Sequence, residues 1–270
     1  MTETSVLWLR VAAILYSLGL ASAILLLTRK RSRLFRAALA AFSLGALFHL
    51  VSIIEQGLYL GGLPVRSIFE SMSLCAFLIT VAFLLLCRRY HAESLSVFIF
   101  PLVFVMTMVA ALSKPVDTWT SAAFRSIWLS AHIVSALLAY AALLFTAVAA
   151  VVYLFQEHQL KKKLPSAISH RLPPLATLDE LISRSLAVGF AFMTGGLVAG
   201  SVWAFVELGT RWILDPRIGI SFVTWAIYLA MVFFRASAGW RGRKAAILAI
   251  TALCCSALTW AAHVRLESRL

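Results

Sequence analysis

Long apolar stretches alternate with short polar or charged segments along the whole chain. A helix of about twenty apolar residues crosses the roughly 30 Å of hydrocarbon in a bilayer. Stretches that reach or approach this length lie at about 5–28, 35–55, 68–87, 95–113, 127–156, 185–207, 218–235 and 245–264. The pattern therefore predicts an all-α integral membrane protein built as a bundle of about eight transmembrane helices.

Composition agrees with this fold class, because 62% of the 270 residues are hydrophobic. No stretch has the composition of a linker and no internal repeat is visible, so we expect a single polytopic membrane domain over residues 1–270. The first apolar stretch is too long for a signal peptide and is interpreted as a retained anchor. The four cysteines lie in apolar stretches without a C-x-x-C pair, which argues against a disulfide framework or a thiol-exchange site.

The net charge of +13 is concentrated in short loops, which is typical of topology signals and not of nucleic-acid binding. Alternate loops hold most of the 24 lysines and arginines, at Arg29 to Arg36, Arg88 to Arg89, Lys161 to Arg184 and Arg235 to Lys244. Such basic loops face the cytoplasm. Both termini, and the turn between the sixth and seventh stretches, are therefore predicted on the outer side.

Tryptophan is distributed unevenly between the two predicted halves of the membrane. The outer half holds Trp8, Trp119, Trp128, Trp203, Trp212, Trp225 and Trp260, and the inner half holds only Trp240. An ordinary aromatic belt covers both interfaces. The one-sided excess favours a surface that stacks a large flat ligand, with a skewed belt as the alternative.

Three histidines are candidates for a functional site. His49 lies roughly 20 Å from the inner surface by helical rise, a depth at which an ionisable group suggests function. The alternative is a neutral histidine bonded to a neighbouring helix. His132 and His263 both lie at the predicted outer face, and two facing histidines can hold a haem iron axially. His263 is close to a helix end and could equally be an interface residue.

The segment GSVWAFVELGTRWILDPRIGISFVTW (200–225) resembles the tryptophan-rich signature of the CcsA/CcmC cytochrome c assembly superfamily, which includes HemX-like members. The matching positions are Gly200, Trp203, Ala204, Gly209, Trp212, Asp215, Pro216, Arg217, Thr224 and Trp225. HLVSIIEQGLYLGGLPVRSIFESM (49–72) and WLSAHIVSALLAY (128–140) resemble two further segments of that family. The resemblance covers about residues 45–264.

The resemblance implies an external haem platform with two histidine ligands outside the membrane and two within it. By position, His49 matches the first intramembrane ligand and His132 the first external one, while His263 is the only nearby residue for the second external ligand. The remaining implied contacts with haem b are stacking by Trp203, Trp212 and Trp225, propionate binding by Arg211 and Arg217, and a turn fixed by Asp215. The chain departs from the family at Leu214, Ile218 and Phe233, where a Trp, a Glu and the second intramembrane histidine are expected.

The function implied is a haem-handling component of cytochrome c maturation in the bacterial inner membrane. It would present or deliver haem at the outer face for attachment to apocytochrome c. Bond formation would need a second membrane component, so we do not expect the chain alone to be an enzyme. Two alternatives stay open, a HemX-like regulatory or scaffolding protein of haem metabolism and a transporter of another small molecule.

Overall fold

Eight α-helices make up the part of the chain that the computed structural model describes, which is residues 3–28, 32–65, 67–89, 95–112, 127–162, 172–209, 213 and 216–267. The helices are α1 (Glu3–Thr28), α2 (Ser32–Leu60), α3 (Ile68–Arg89), α4 (Ser96–Leu112), α5 (Ile127–Lys161), α6 (Leu175–Leu208), α7 (Pro216–Ala236) and α8 (Arg243–Glu267). Each predicted span corresponds to one of them, and the described residues contain no strand.

Six of the described helices are long and apolar enough to cross a membrane, and α4 is an apolar helix of 17 residues. A helix suits hydrocarbon because it satisfies its own backbone hydrogen bonds. The prediction of an all-α integral membrane protein is confirmed. The side that each loop faces, and with it the outer location of both termini, stays a prediction.

Several helices extend beyond the apolar stretches that predicted them. The predicted sixth span began at residue 185, whereas α6 begins at Leu175 and contains 34 residues. Helix α2 continues to Leu60 and ends at Gly61, which has a φ of +66° that glycine adopts without strain. Gly62 N–H then donates to the carbonyl of Gly57 at 3.0 Å, closing the helix end. The apolar stretches therefore underestimate the length of these helices, because the polar residues at the helix ends are not part of an apolar run.

The helices group into two compact units, Met1–Phe124 and Arg125–Leu270. In the first unit, α1 lies against α2 and α4, and α3 lies against the same two helices. In the second unit, α5 and α6 form the most extensive pair, while α8 packs on α5 and α7. The organisation of the whole chain as a single domain stays a prediction.

Helices α1 and α2 approach closely because each places an aromatic ring over a glycine of the other. A Cβ at Gly45 would lie 2.7 Å from the Tyr16 ring, and a Cβ at Gly19 would lie 2.7 Å from the Phe42 ring. Both rings are fully buried and their centroids are 4.6 Å apart. This packing holds Tyr16 beside the next turn of α2, where His49 lies.

Candidate functional site

His49 is completely buried in the first unit, where hydroxyl groups contact both of its ring nitrogens. Its Nε2 lies 2.8 Å from Ser73 Oγ on α3, and its Nδ1 lies 3.3 Å from the Tyr16 hydroxyl on α1. Phe77 meets the imidazole edge-on, with ring centroids 5.6 Å apart. Two neighbouring helices, α1 and α3, thus orient the imidazole, and both ring nitrogens have hydrogen-bond partners within the protein.

Polar contacts continue along α2 from His49 towards the end at Leu60. Ser52, one turn further, donates to the carbonyl of Ser5 at 2.7 Å. Gln56 donates to a Glu70 carboxylate oxygen at 2.6 Å, and all three side chains are buried. Glu70 therefore bonds to a neighbouring helix within the bundle, which fits the structural role that buried polar groups usually have.

His132 is held against α6 in the second unit by two glycines. Its Nδ1 lies 2.7 Å from the carbonyl oxygen of Gly196. Its ring lies over Gly200, where a Cβ would come within 2.5 Å of Nδ1 and 2.9 Å of Cε1. Gly196 also admits the α5 backbone, because a Cβ there would lie 3.3 Å from the nitrogen of Ala136. The Gly196–Gly200 pair is thus the surface on which this histidine rests.

The hydrogen bond to Gly196 decides which nitrogen of His132 carries the proton. A carbonyl oxygen only accepts, so Nδ1 must donate and the neutral ring holds its lone pair at Nε2. Within the described part of the chain, Nε2 has no hydrogen-bond partner. Metal-binding histidines commonly have this arrangement, with one ring N–H bonded to a carbonyl and the other nitrogen open to the metal.

Trp203 and Trp225, both predicted to stack on a ligand, occupy different environments in the second unit. Trp203 follows Gly200 on α6 by three residues, and its indole nitrogen is buried without a partner among the described residues. The indole of Trp225 instead donates to Thr194 Oγ1 at 3.1 Å and lies beside Phe190, with ring centroids 6.1 Å apart. The indole N–H of Trp203 is therefore available to a ligand, whereas the indole N–H of Trp225 already donates to Thr194.

Other predicted site residues fall outside this description. Arg211, Trp212 and Asp215 lie beyond the described residues, as do the side chains of Arg217 and His263. The backbone of Arg217 belongs to the first turn of α7, and that of His263 to the last turns of α8. Their roles as platform, propionate partners, turn and second ligand stay predictions.

An ion pair that the sequence did not suggest ties together three segments of the second unit. Arg235, at the end of α7, donates to both carboxylate oxygens of Asp179 on α6, at 3.2 and 2.8 Å. Its guanidinium also reaches the carbonyl of Asp179 at 2.9 Å. The backbone N–H of Gly242, before α8, donates to the same carboxylate at 2.9 Å. The arrangement is structural, since every partner belongs to the chain itself.

A haem iron needs fewer protein ligands than a bare metal ion does. Among the described residues, no group of three or more His, Cys, Asp and Glu is placed to hold a metal. Haem already supplies four nitrogens to its iron, so one or two axial ligands from the protein suffice. The single open Nε2 of His132 is suited to that task.

Comparison with known proteins gives a consistent result. Residues 37–262 match the family described as cytochrome C assembly protein. The chain is 31% identical to the cytochrome c biogenesis protein CcsA of Prochlorococcus marinus (strain MIT 9301) over 214 residues, which cover 71% of this chain and 69% of that protein. It is 28% identical to the CcsA protein of Gloeothece citriformis (strain PCC 7424) over 237 residues, or 70% and 72% of the two chains.

A solved structure supports the fold. The chain is similar to a cytochrome c haem lyase, CcmF, with a TM-score of 0.64 and 19% identity. The match covers 93% of this chain but only 46% of the lyase. At that identity and coverage the similarity concerns the fold, and the activity of the lyase is not carried over. The regulatory and transporter alternatives are not favoured by these similarities. The sequence match over residues 37–262, together with relatives of this identity, shows that the chain belongs to the cytochrome c assembly protein family.

Proposed function

We propose that this chain handles haem during cytochrome c maturation. It would present haem at the outer face of the membrane in which it lies, for attachment to apocytochrome c. The observation that carries the proposal is the state of His132, whose Nδ1 is bonded to Gly196 while Nε2 has no partner among the described residues. Membership of the cytochrome c assembly family supplies the biological setting. The family supplies the role in cytochrome c maturation, and Nε2 of His132 is the atom proposed to bind the haem iron.

Nε2 of His132 is prepared to bind iron before any haem arrives. The Gly196 carbonyl fixes the tautomer, and the close approach of Gly200 to the ring limits where the imidazole can lie. A ligand held in this way loses little conformational freedom on binding. We therefore propose that His132 would bind the iron of haem b through Nε2.

Trp203 supports the same location, because a buried N–H without a partner carries an energetic penalty of about 1–3 kcal/mol. A polar group on a bound ligand would remove that penalty. Trp203 lies about one turn beyond Gly200 on α6, and the His132 ring of α5 rests on that glycine. Its large indole also offers area for stacking on a flat ring system.

The remaining contacts are proposed from the family resemblance. Trp212 and Trp225 would complete the aromatic surface, and Arg211 and Arg217 would pair with the propionates through charge-assisted hydrogen bonds. Asp215 would fix the turn, and His263 would supply the second external ligand. His49 would bind haem iron at a separate site inside the bundle.

The expected setting is the bacterial inner membrane, with a second membrane component of the maturation system as partner. Attachment of haem to apocytochrome c would be carried out by that complex. The chain's own residues would hold and orient haem, and we propose no covalent step for them.

The test is the absorption spectrum of the detergent-purified protein after expression with ample haem. We expect a Soret band in the wild-type protein that shifts or disappears in His132→Ala. His158→Ala is the matched control, since His158 is a histidine near the other end of the same helix. A folded wild-type protein without a Soret band, or an unchanged band in His132→Ala, would overturn the assignment.

A further inference from the structure

The turn between α7 and α8 is held in one position by contacts with three helices of the second unit. The backbone N–H of Gly242 donates to the Asp179 carboxylate of α6 at 2.9 Å, and a Cβ at Gly242 would lie 2.7 Å from the Tyr153 hydroxyl of α5. Trp240 N–H donates to the carbonyl of Phe234 on α7 at 3.1 Å. Gly242 also has a φ of +63°, which other residues rarely adopt. The backbone of this turn is therefore fixed by the fold.

The side chain of Trp240 is held in place as well. Its ring stacks on Phe234, with centroids 4.7 Å apart and an angle of 17° between the planes. The ammonium of Lys244, in the first turn of α8, lies 5.8 Å from the centroid of the Trp240 ring, which is within the range of a cation–π contact. An aromatic ring and a cation thus occupy defined positions just beyond the end of α7.

Three cations of the turn are not neutralised by a salt bridge within the part of the chain that the structure describes. Arg241, Arg243 and Lys244 are all exposed. The carboxylates described at this end of the unit are paired with other cations, as Asp179–Arg235, Glu180–Arg184 and Glu157–Lys161. The sequence has no acidic residue from 158 to 178. The positive charge of the turn is therefore left for an anion from outside the chain.

The turn lies where a membrane span leaves the hydrocarbon. Helix α7 is long and apolar enough to cross a membrane over Ile218–Ala236, and the turn begins at the next residue. Tryptophan is enriched at this interface, and basic residues next to a span attract anionic lipids there. Both leaflets have phosphates at this level, so the side that the turn faces does not matter. A lipid headgroup is therefore the anion that the turn meets at the highest local concentration.

We propose that the α7–α8 turn binds the headgroup of an anionic phospholipid, whose phosphate is held by Arg241, Arg243 and Lys244 beside the Trp240 ring. Guanidinium groups form charge-assisted hydrogen bonds with phosphate oxygens. A zwitterionic headgroup brings its own cation, which the three side chains repel, so the turn favours a lipid with net negative charge. Because the fold fixes the turn, little order has to be gained on binding. The inference is independent of haem and goes beyond the proposed function.

Quenching of Trp240 fluorescence measures binding at this turn. The full-length protein is reconstituted in phosphatidylcholine vesicles that contain increasing fractions of phosphatidylglycerol brominated on its acyl chains. The signal of Trp240 is the difference between the wild-type protein and Trp240→Phe, which removes the contribution of the other tryptophans. We expect half of this signal to be quenched at a fraction of brominated phosphatidylglycerol more than about tenfold lower than that of brominated phosphatidylcholine.

Glutamine variants identify the cations that bind the headgroup. Arg241→Gln, Arg243→Gln and Lys244→Gln should each raise the half-quenching fraction of phosphatidylglycerol about fivefold, the usual contribution of one basic residue near an anionic surface. Lys162→Gln is the matched control, because Lys162 is an exposed cation at the same end of the unit that follows α5 instead. It should leave the fraction unchanged. If Lys162→Gln has the same effect as the turn variants, the lipids respond only to general surface charge and the site is wrong.

Gly242→Ala tests whether the fixed turn is needed, since it keeps every charge. Its methyl group would overlap the Tyr153 hydroxyl and alanine would have to adopt the positive φ, so the turn must move. The preference for phosphatidylglycerol should fall. An unchanged preference in the folded variant would contradict the role of the fixed turn. The glutamine variants decide the binding itself, because they alter exposed side chains only.

Inorganic phosphate at constant ionic strength separates a lipid headgroup from a free anion. We expect it to leave the quenching unchanged, because the lipid is confined to the membrane beside the turn. If inorganic phosphate reverses the quenching, the turn binds free phosphate. If the wild-type protein has no preference for phosphatidylglycerol, the basic residues are topology signals only. Either result would overturn the lipid site, and neither bears on the proposed haem site, because no haem is added.

Discussion

The imidazole of His132 rests directly on Gly200, with Nδ1 only 2.5 Å from the position that a Cβ would occupy. A methyl group at residue 200 must therefore displace the ring. Because the same nitrogen donates to the Gly196 carbonyl, displacement also removes the bond that fixes the tautomer. Gly200 therefore helps to hold the His132 ring in the orientation proposed for binding iron.

Gly200→Ala should lower haem retention by about 10- to 100-fold, the usual effect of losing the group that orients a metal ligand. Retention is measured as Soret absorbance per protein after purification. Gly195→Ala is the matched control on the same helix, since nothing lies within 4 Å of its Cβ position. It should retain haem like the wild-type protein, and equal retention in both variants would contradict the support role of Gly200.

The two tryptophans should differ in how much they contribute to stability without haem. Trp203→Phe removes a buried N–H that has no partner among the described residues, so the haem-free protein should change its unfolding free energy by less than about 1 kcal/mol. Haem retention should nevertheless fall. Trp225→Phe removes a hydrogen bond to Thr194 and should cost about 1 kcal/mol or more without haem.

Unfolding of the haem-free variants in mixed detergent micelles measures both values. The ligand role of Trp203 fails if Trp203→Phe retains haem fully, whatever its stability. A destabilisation of Trp203→Phe larger than that of Trp225→Phe would show that the Trp203 indole is needed by the fold itself.

The hydrophobic pattern predicted the eight described helices because each contains a long apolar run, which can be recognised without knowing its neighbours. It missed the first turns of α6, since Leu175 to Arg184 carry the charges of a helix end outside hydrocarbon. The depth of His49 followed from sequence alone, but its partners did not. Ser73 and Tyr16 lie 24 and 33 residues away, and only the packing of helices brings them together.

At the candidate external site, too, the sequence predicted which residues lie there but not which residues they contact. A small-residue pair such as Gly196–Gly200 lets another helix approach closely, but the sequence did not show that His132, which was singled out by its position at the predicted outer face, rests on it. Trp225 was grouped with the outer tryptophans by depth, and the structure places its indole against Thr194 and Phe190. Depth in the membrane follows from position along a helix, whereas the direction of a side chain depends on which helix it meets.

Asp179→Asn should destabilise the second unit by about 2–4 kcal/mol, because it leaves the Arg235 charge partly buried without its counter-charge. The Arg235 side chain is 12% exposed and that of Asp179 is 22% exposed. The residues after α7 should also become more sensitive to protease, since Gly242 loses a charged acceptor. Limited proteolysis and detergent unfolding measure the two effects.

Glu180→Gln is the control for that experiment. Glu180 pairs with Arg184 on the exposed side of α6, and such surface pairs contribute at most about 1 kcal/mol. Equal, small losses in the Asp179 and Glu180 variants would show that the Arg235 contact does not hold the three segments together.

Gly45→Ala should destabilise the first unit by about 1–3 kcal/mol, since its methyl group would overlap the Tyr16 ring and α1 cannot approach α2 as closely. The smaller side chain in Tyr16→Leu should relieve that overlap. We therefore expect the double variant to be more stable than the sum of the two single losses predicts, with a coupling above about 0.5 kcal/mol. Unfolding of all four proteins under one set of conditions measures the coupling. Additive losses of unfolding free energy would mean that the Tyr16 ring does not contact Gly45 closely. The contact that holds Tyr16 beside His49 would then be absent.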